Sequence, residues 1–287
     1  MNDLFKQPEI TQLVKSALEE DLGSRGDITS KAINDDKTIQ AEIIMKESGV
    51  LAGLDLARLV FEYDDESIEF KSLVSEGDFH SKGCAVARIT GKVVSVLQAE
   101  RTALNFLGRL SGIATQTFHF VRLINEFDTT ILDTRKTTPG WRALEKYAVR
   151  TGGGQNHRMG LWDMFLIKDN HITAAGGIRL AVEKCRQYMK NQNFNAKIQV
   201  EACTLEMVQE CLDQEIDVIM LDNMSIDEMR RAVERVDGKI PLEASGNMNM
   251  ESLYDVAQIG VDYISVGALT HSARNLDLTM LLTENRN

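Results

Sequence analysis

Cysteine is scarce in this sequence: Cys84, Cys185, Cys203 and Cys211 stand apart, and no two form a C-x-x-C pair. In a chain of 287 residues such thiols read as reduced and mostly buried, which excludes a disulfide frame and a zinc site. Positive charge is also in deficit, with 32 Lys and Arg against 43 Asp and Glu and a net charge of −11. Nucleic-acid binding draws its affinity from neutralising phosphates, so this balance argues against it. No apolar run approaches the roughly 20 residues that cross a bilayer, so no membrane partner is expected. The opening MNDLFKQPEI has no basic stretch leading into an apolar one, so the expectation is a cytoplasmic protein without a secretory leader. What is abundant is ordinary for a globular chain: 43% hydrophobic and 26% charged residues, enough for one large domain or two modest ones and too much for disorder.

The first ~110 residues differ in texture from the rest. Apolar positions at helical spacing (Leu13, Val14, Ala17, Leu18) precede strand-like runs TIQAEIIM, IEFKSLV, CAVARI and KVVSVL, with helix-like GLDLARLVFEY among them. This half reads as a small α+β domain. A helix is predicted from Gln98 to about Ile124. Leu104, Leu107, Leu110 and Ala114 form its buried stripe, while Arg101, Asn105 and Arg109 recur on another face. Beyond Thr129 one theme repeats. The apolar runs TTILDTR, MFLIKD, AKIQVEA, DVIMLDN, IPLEASG and DYISVGA alternate with amphipathic stretches such as WRALEKYAVR, LEMVQECLDQ and IDEMRRAVERV. Nearly continuous apolar strands separated by helices specify a parallel α/β domain. The length is short of the ~250 residues of a regular eight-unit barrel, so an incomplete barrel of six to seven strands is preferred over an open sheet.

In either architecture chemistry collects at the carboxyl ends of the strands. The six runs deliver Asp133, Arg135 and Lys136; Lys168 and Asp169; Glu201; Asp222; Glu243, Ser245 and Gly246; and Ser265 and Gly267. One side of this rim is basic (Arg135, Lys136, Arg158, Lys168, with His157 and His171), one carries the carboxylates Glu201 and Asp222, and one is glycine- and hydroxyl-rich. Clustered cations suit a small polyanion. Paired carboxylates suit Mg²⁺ or ribose hydroxyls, and glycine turns suit a phosphate. The acidic net charge does not oppose this. Exposed charges beyond about 8 Å are screened, whereas one cation at ~4 Å is worth about 4 kcal/mol at an effective dielectric of 20. The run TGGGQNHR (151–158) reads as a mobile loop carrying anion ligands.

The block DTRKTTPGWRALEKYAVRTGGGQNHRMGLWDMFLIKDNHI, together with LEEDLGSRGDITS, ERTALNFLGRLSGIAT, VEACTL, IMLDNMS, LEASGN and ISVGALTHSA, closely resembles the quinolinate phosphoribosyltransferase family across nearly the whole chain. The resemblance implies an N-terminal α/β sandwich over 1–112 and an incomplete α/β barrel over 113–268. The segment 269–287 would pack back on the first domain. It also implies a homodimer that joins quinolinate to phosphoribosyl pyrophosphate with Mg²⁺, releasing pyrophosphate and CO₂ to give nicotinate mononucleotide for NAD synthesis. Carried onto this chain, Arg135, His157, Arg158 and Lys168 look like the quinolinate ligands, with Thr137 beside them and Lys136 between the substrates. Arg101 is similar to the arginine donated across the dimer interface. Glu201 and Asp222 resemble the ribose and metal ligands. Ser245, Gly246, Asn247, Val266, Gly267, Ala268 and His271 look like the 5′-phosphate region. Two other functions fit the same strand ends: a lyase using Lys168 as a Schiff-base nucleophile, and a non-catalytic binder of a phosphorylated sugar.

Overall fold

The computed structural model describes residues 3–34 and 37–283. In chain order its strands are β1 (Thr38–Met45), β2 (Gly49–Val50), β3 (Glu69–Ser72), β4 (Phe79–His80), β5 (Ala85–Lys92), β6 (Thr130–Leu132), β7 (Phe165–Ile167), β8 (Ile198–Ala202), β9 (Val218–Asp222), β10 (Leu242–Ser245), β11 (Tyr263–Ser265) and β12 (Leu278–Thr283). The helices are α1 (Pro8–Leu22), α2 (Ile28–Ile33), α3 (Leu54–Asp64), α4 (Val93–Leu123), α5 (Arg142–Thr151), α6 (Asp169–Ala175), α7 (Ile178–Gln192), α8 (Leu205–Leu212), α9 (Ile226–Val236), α10 (Leu253–Gln258) and α11 (Ala268–His271). The described residues fall into two compact units. One takes in the chain up to Gln116, Ala143–Gly152 and the segment from Ala273 onward, and the other Thr117–Arg142 and Gly153–Ser272.

The first unit is built on an antiparallel sheet in the order β12-β1-β5-β3. Strand β1 alternates as the sequence pattern requires, burying Ala41, Ile43 and Met45. Helix α3 contributes Leu56, Ala57, Val60 and Phe61 to the core. The run KVVSVL, expected as a strand, instead opens α4. Val93, Val96, Ala99 and Ala103 are all buried, and their helical spacing lets packing override the strand preference of β-branched residues. Arg109 does not face solvent freely: it reaches Glu145 at 2.8 Å and the Ala273 carbonyl at 2.8 Å. The returning C-terminal segment lies against two glycines of α4. Leu276 donates its backbone N–H to the Gly108 carbonyl at 2.9 Å, and a Cβ on Gly112 would come within 2.9 Å of the Arg274 carbonyl carbon.

The second unit is a six-stranded parallel sheet in the order β6-β11-β10-β9-β8-β7. Consecutive strands β7 to β11 are neighbours, β11 returns to β6, and the curled sheet stays open between β6 and β7. This is the incomplete barrel, with six strands among the described residues. All five residues of β8 are buried, as expected where helices cover one face and the interior fills the other. Helices α8 and α9 open on side-chain caps: Thr204 accepts from the Met207 N–H, and Ser225 with Glu228 forms a reciprocal capping box. The helix after β6 is the exception to the repeat. Most of α5 belongs to the first unit, where Tyr147 packs edge-on against Phe5 at 5.0 Å.

Candidate active site

A parallel strand sends alternate side chains to opposite faces. The inward set is Gln199 and Glu201 on β8, Met220 and Asp222 on β9, and Glu243 and Ser245 on β10. Pairing aligns Glu201 with Met220 and Met220 with Glu243, one layer below the paired Asp222 and Ser245. These side chains meet the residues following β6 and β7 in a cavity of about 340 Å³. Every one of the six strands contributes to it: Arg135 and Lys136 after β6, Lys168 after β7, Glu201, Asp222, Glu243, Ser245 and Ser265, with His157 and Arg158 from the loop after α5.

One wall is strongly basic. Arg158 is only 8% exposed; burial and then the neighbouring Arg135 guanidinium push it below the usual arginine range, while Glu201 and Asp163 act in the opposite direction. Two guanidiniums that repel each other in a partly desolvated cleft favour entry of an anion. Arg135 adds a buried Nε–H with no hydrogen-bond partner among the described residues. Lys168 Nζ donates to Glu201 Oε1, so the basic and acidic sides of the rim are in direct contact.

The run TGGGQNHR is fastened at two points. Gln155 forms an isolated parallel bridge with Leu132, donating to the Ile131 carbonyl at 2.9 Å. The His157 backbone N–H donates to Asp133 Oδ1 at 2.9 Å, and Asn156 Nδ2 donates to Oδ2 at 2.6 Å. The sequence placed Asp133 at the rim, but the structure buries it fully, as the anchor of the segment carrying His157 and Arg158. His157 has both ring nitrogens engaged: Nδ1 accepts the Arg158 N–H at 2.7 Å, and Nε2 lies 3.0 Å from Gln199 Oε1. It lines the cavity as a ring whose nitrogens both serve the protein.

A second cavity of about 410 Å³ adjoins the first, sharing Thr134, Lys136, Asp222, Ser245 and Ser265. Its wall is made by Gly246, Asn247, Gly267, Ala268 and His271. Left-handed backbone at Asn223 (φ 56°), Gly246 (φ 106°) and Asn247 (φ 50°) shapes the turns after β9 and β10, conformations that asparagine and glycine tolerate best. A Cβ on Gly246 would come within 3.0 Å of the Asn223 nitrogen, and one on Gly267 within 3.0 Å of Lys136 Cδ and 3.2 Å of His271 Nε2. The absent side chains therefore keep this concave surface open beside Lys136.

Most of the predicted residues thus share two contiguous cavities. Three do not. Thr137 lines neither and accepts from Arg142 Nε at 3.0 Å. Val266 is buried, donating its N–H to the Leu132 carbonyl at 2.9 Å. Arg101 is exposed on the part of α4 that belongs to the first unit. His171, expected on the basic side of the rim, accepts the Lys168 N–H at 3.0 Å through Nδ1 and lies outside both cavities. Thr134 and Asn223 also line these cavities and were not named from the sequence, whereas Glu243, read there as a strand-end residue, lines the first cavity.

Among the described residues no group of three or more His, Cys, Asp or Glu side chains is gathered for a metal ion. Glu201 is engaged by Lys168, and Asp222 Oδ2 accepts from Asn223 Nδ2 at 2.9 Å. This donor set does not build a protein cage. It does fit Mg²⁺, which takes one or two carboxylates and completes its shell with substrate phosphates and water.

Comparison with known proteins places this geometry. The family described as quinolinate phosphoribosyl transferase matches through its N-terminal domain over residues 27–111 and its C-terminal domain over residues 113–281. The chain is 41% identical over 288 residues to the chloroplastic nicotinate-nucleotide pyrophosphorylase [carboxylating] of Arabidopsis thaliana, covering 95% of this chain and 82% of that one. It is 42% identical to the probable nicotinate-nucleotide pyrophosphorylase [carboxylating] of Bacillus subtilis, covering 96% and 94%. The solved nicotinate-nucleotide pyrophosphorylase of Francisella tularensis superposes with a TM-score of 0.93 at 40% identity, covering 99% of this chain and 100% of that one.

Proposed function

Because the chain belongs to the quinolinate phosphoribosyltransferase family, we propose that the two adjoining cavities are its substrate sites, one for each reactant. The enzyme transfers phosphoribosyl from phosphoribosyl pyrophosphate to quinolinate, releasing pyrophosphate and CO₂ and yielding nicotinate mononucleotide for NAD synthesis. The observation that carries the assignment of sites is the contact between a basic wall and a carboxylate wall in one mouth, with Lys136 lining both cavities.

On this reading Arg135 and Arg158 fork onto the two carboxylates of quinolinate, and Lys168 adds a compact positive charge. Departure of pyrophosphate leaves positive charge on the ribose, which Glu201 and Asp222 stabilise. Ser245, Gly246, Gly267 and Ala268 hold the 5′-phosphate, with Asn247 and His271 at its edge. Mg²⁺ held by Glu201 and Asp222 would neutralise the leaving group. Once the pyridine nitrogen is ribosylated, its positive charge stabilises the electron pair left on the adjacent ring carbon as CO₂ departs, and a proton from water then occupies that position. The protein's task is then to align reactants and exclude water. No nucleophilic side chain is needed, and Lys168, which donates to Glu201, serves to bind rather than to attack. The working protein is a cytoplasmic homodimer in which Arg101 reaches the partner's site. Among the described residues no helix is long and apolar enough to cross a membrane.

A coupled assay tests this directly. Purified protein given quinolinate, phosphoribosyl pyrophosphate and Mg²⁺ should release pyrophosphate and CO₂ in equal amounts, and chelation of Mg²⁺ should stop both. Nicotinate, with one carboxylate, should be a poor substrate. Tight binding of both substrates without release would instead favour a non-catalytic binder of a phosphorylated sugar.

A further inference from the structure

On the reading that the first cavity takes the diacid, we infer that Glu243 is a positioning residue for its recognition. Glu243 fixes the proton position on His157 through Gln199, and His157 in turn holds the backbone of Arg158.

Glu243 points inward from β10 and is 1% exposed. Its Oε2 accepts from Gln199 Nε2 at 2.7 Å. A carboxylate can only accept, so Gln199 must turn its amide nitrogen toward Glu243 and its oxygen toward His157, 3.0 Å from Nε2. An amide oxygen also only accepts, which places the imidazole proton on Nε2. Nδ1 is then bare, as it must be to accept the Arg158 N–H at 2.7 Å. Glu243 Oε2 lies 3.4 Å from the same Nε2 and favours the same tautomer. Each link sets the polarity of the next, and the order begins at the carboxylate.

Arg158 is repelled by Arg135 and drawn by Glu201 and Asp163, and its guanidinium donates to the Met164 carbonyl at 3.2 Å; the His157 ring adds a hold on its backbone. A glutamate serving packing alone is poorly matched to this position. Its second oxygen is buried with no hydrogen-bond partner among the described residues, an arrangement that an apolar side chain would avoid.

The test replaces the acceptor at the head of the relay. In Glu243→Leu, which carries no acceptor, Gln199 either loses its bond or rotates. Rotation brings its NH₂ against His157 Nε2 and drives the proton onto Nδ1, against the Arg158 N–H. The expected result is a rise of about tenfold in KM for quinolinate, the effect of one buried hydrogen bond left unmade, with kcat and KM for phosphoribosyl pyrophosphate nearly unchanged. ¹⁵N NMR of the ligand-free protein should show His157 as the neutral Nε2–H tautomer in wild type and lose that pattern in the variant. Combining Glu243→Gln with Gln199→Glu restores the sequence of donors and acceptors, because the amide at 243 donates to the carboxylate at 199, which accepts from Nε2. The double variant should recover both readings. A wild-type KM and tautomer in the single variant would overturn the relay, as would a double variant that melts like wild type but keeps the defect. If the single variant does not fold, an Nδ1–H pattern for His157 in wild type overturns the relay and an Nε2–H pattern supports it. Wild-type protein that never turns over quinolinate would instead refute the assigned reaction, with the tautomer spectra still judging the relay.

Discussion

Asp133 holds His157 by its backbone, accepting its N–H at 2.9 Å from a position with no solvent exposure. A charged residue at a strand end is thus spent on fastening the segment that brings Arg158 into the cavity. Asp133→Asn keeps the shape but turns one acceptor into a donor facing an N–H or an amide. The expected cost is about 1–3 kcal/mol of stability, measured by urea unfolding, together with weaker binding of quinolinate. An unchanged unfolding midpoint would show that the segment is held by other means.

The division of the mouth into basic and acidic walls predicts separable defects. Arg135→Ala and Lys168→Ala should lower kcat/KM for quinolinate by at least about tenfold, since each removes a charged hydrogen-bond donor. Asp222→Ala should act mainly on phosphoribosyl pyrophosphate and on the Mg²⁺ requirement. Wild-type steady-state constants in any of the three would remove that residue from the site.

The proposed dimer predicts complementation. Arg101 lies exposed on α4 of the first unit, whereas Lys168 lines the cavity of the second. Mixed subunits carrying Arg101→Ala or Lys168→Ala should therefore regain activity in heterodimers that contain one intact site. Well-mixed subunits that stay inactive would argue against an arginine supplied by the partner.

Stability of the first unit depends on a close approach between α4 and the C-terminal return. In Gly112→Ala the new methyl would clash with the Arg274 carbonyl group, which is backbone and cannot rotate aside. An overpacking cost of about 1–3 kcal/mol follows, read as a lower melting temperature. A melting curve matching wild type would mean that the return segment shifts without penalty.

Thiol chemistry should follow burial and local charge. Burial pushes Cys211 up to about 12, so it should resist alkylation at pH 8. The unfolded chain would ionise this thiol near pH 9 while the folded one does not, so its contribution costs stability as pH rises from about 9 to 12. Cys203 is exposed and is also raised, first by partial burial and then by the carboxylates of Asp222, Glu201 and Asp169. Asp222→Asn should lower its pKa and speed its reaction with iodoacetamide at pH 8. Equal rates in the variant and wild type would show that Asp222 does not act on this thiol.

Local chemistry was enough to determine the strand–helix repeat and the ionic or small polar residues that close the strands. These depend on periodicity, which a linear sequence displays. The same reasoning misread KVVSVL, because β-branched residues favour strands until a long buried stripe recruits them into a helix. It also placed Asp133 at the rim, since a carboxylate at a strand end looks identical in sequence whether it meets solvent or anchors a loop. Only the tertiary structure decided which charges face one another. The repulsion between Arg135 and Arg158, the bond from Lys168 to Glu201 and the line from Glu243 to Arg158 join residues distant in sequence. Their distances are set by strand register and the curl of the sheet, and electrostatic and hydrogen-bond energies depend on those distances rather than on spacing along the chain.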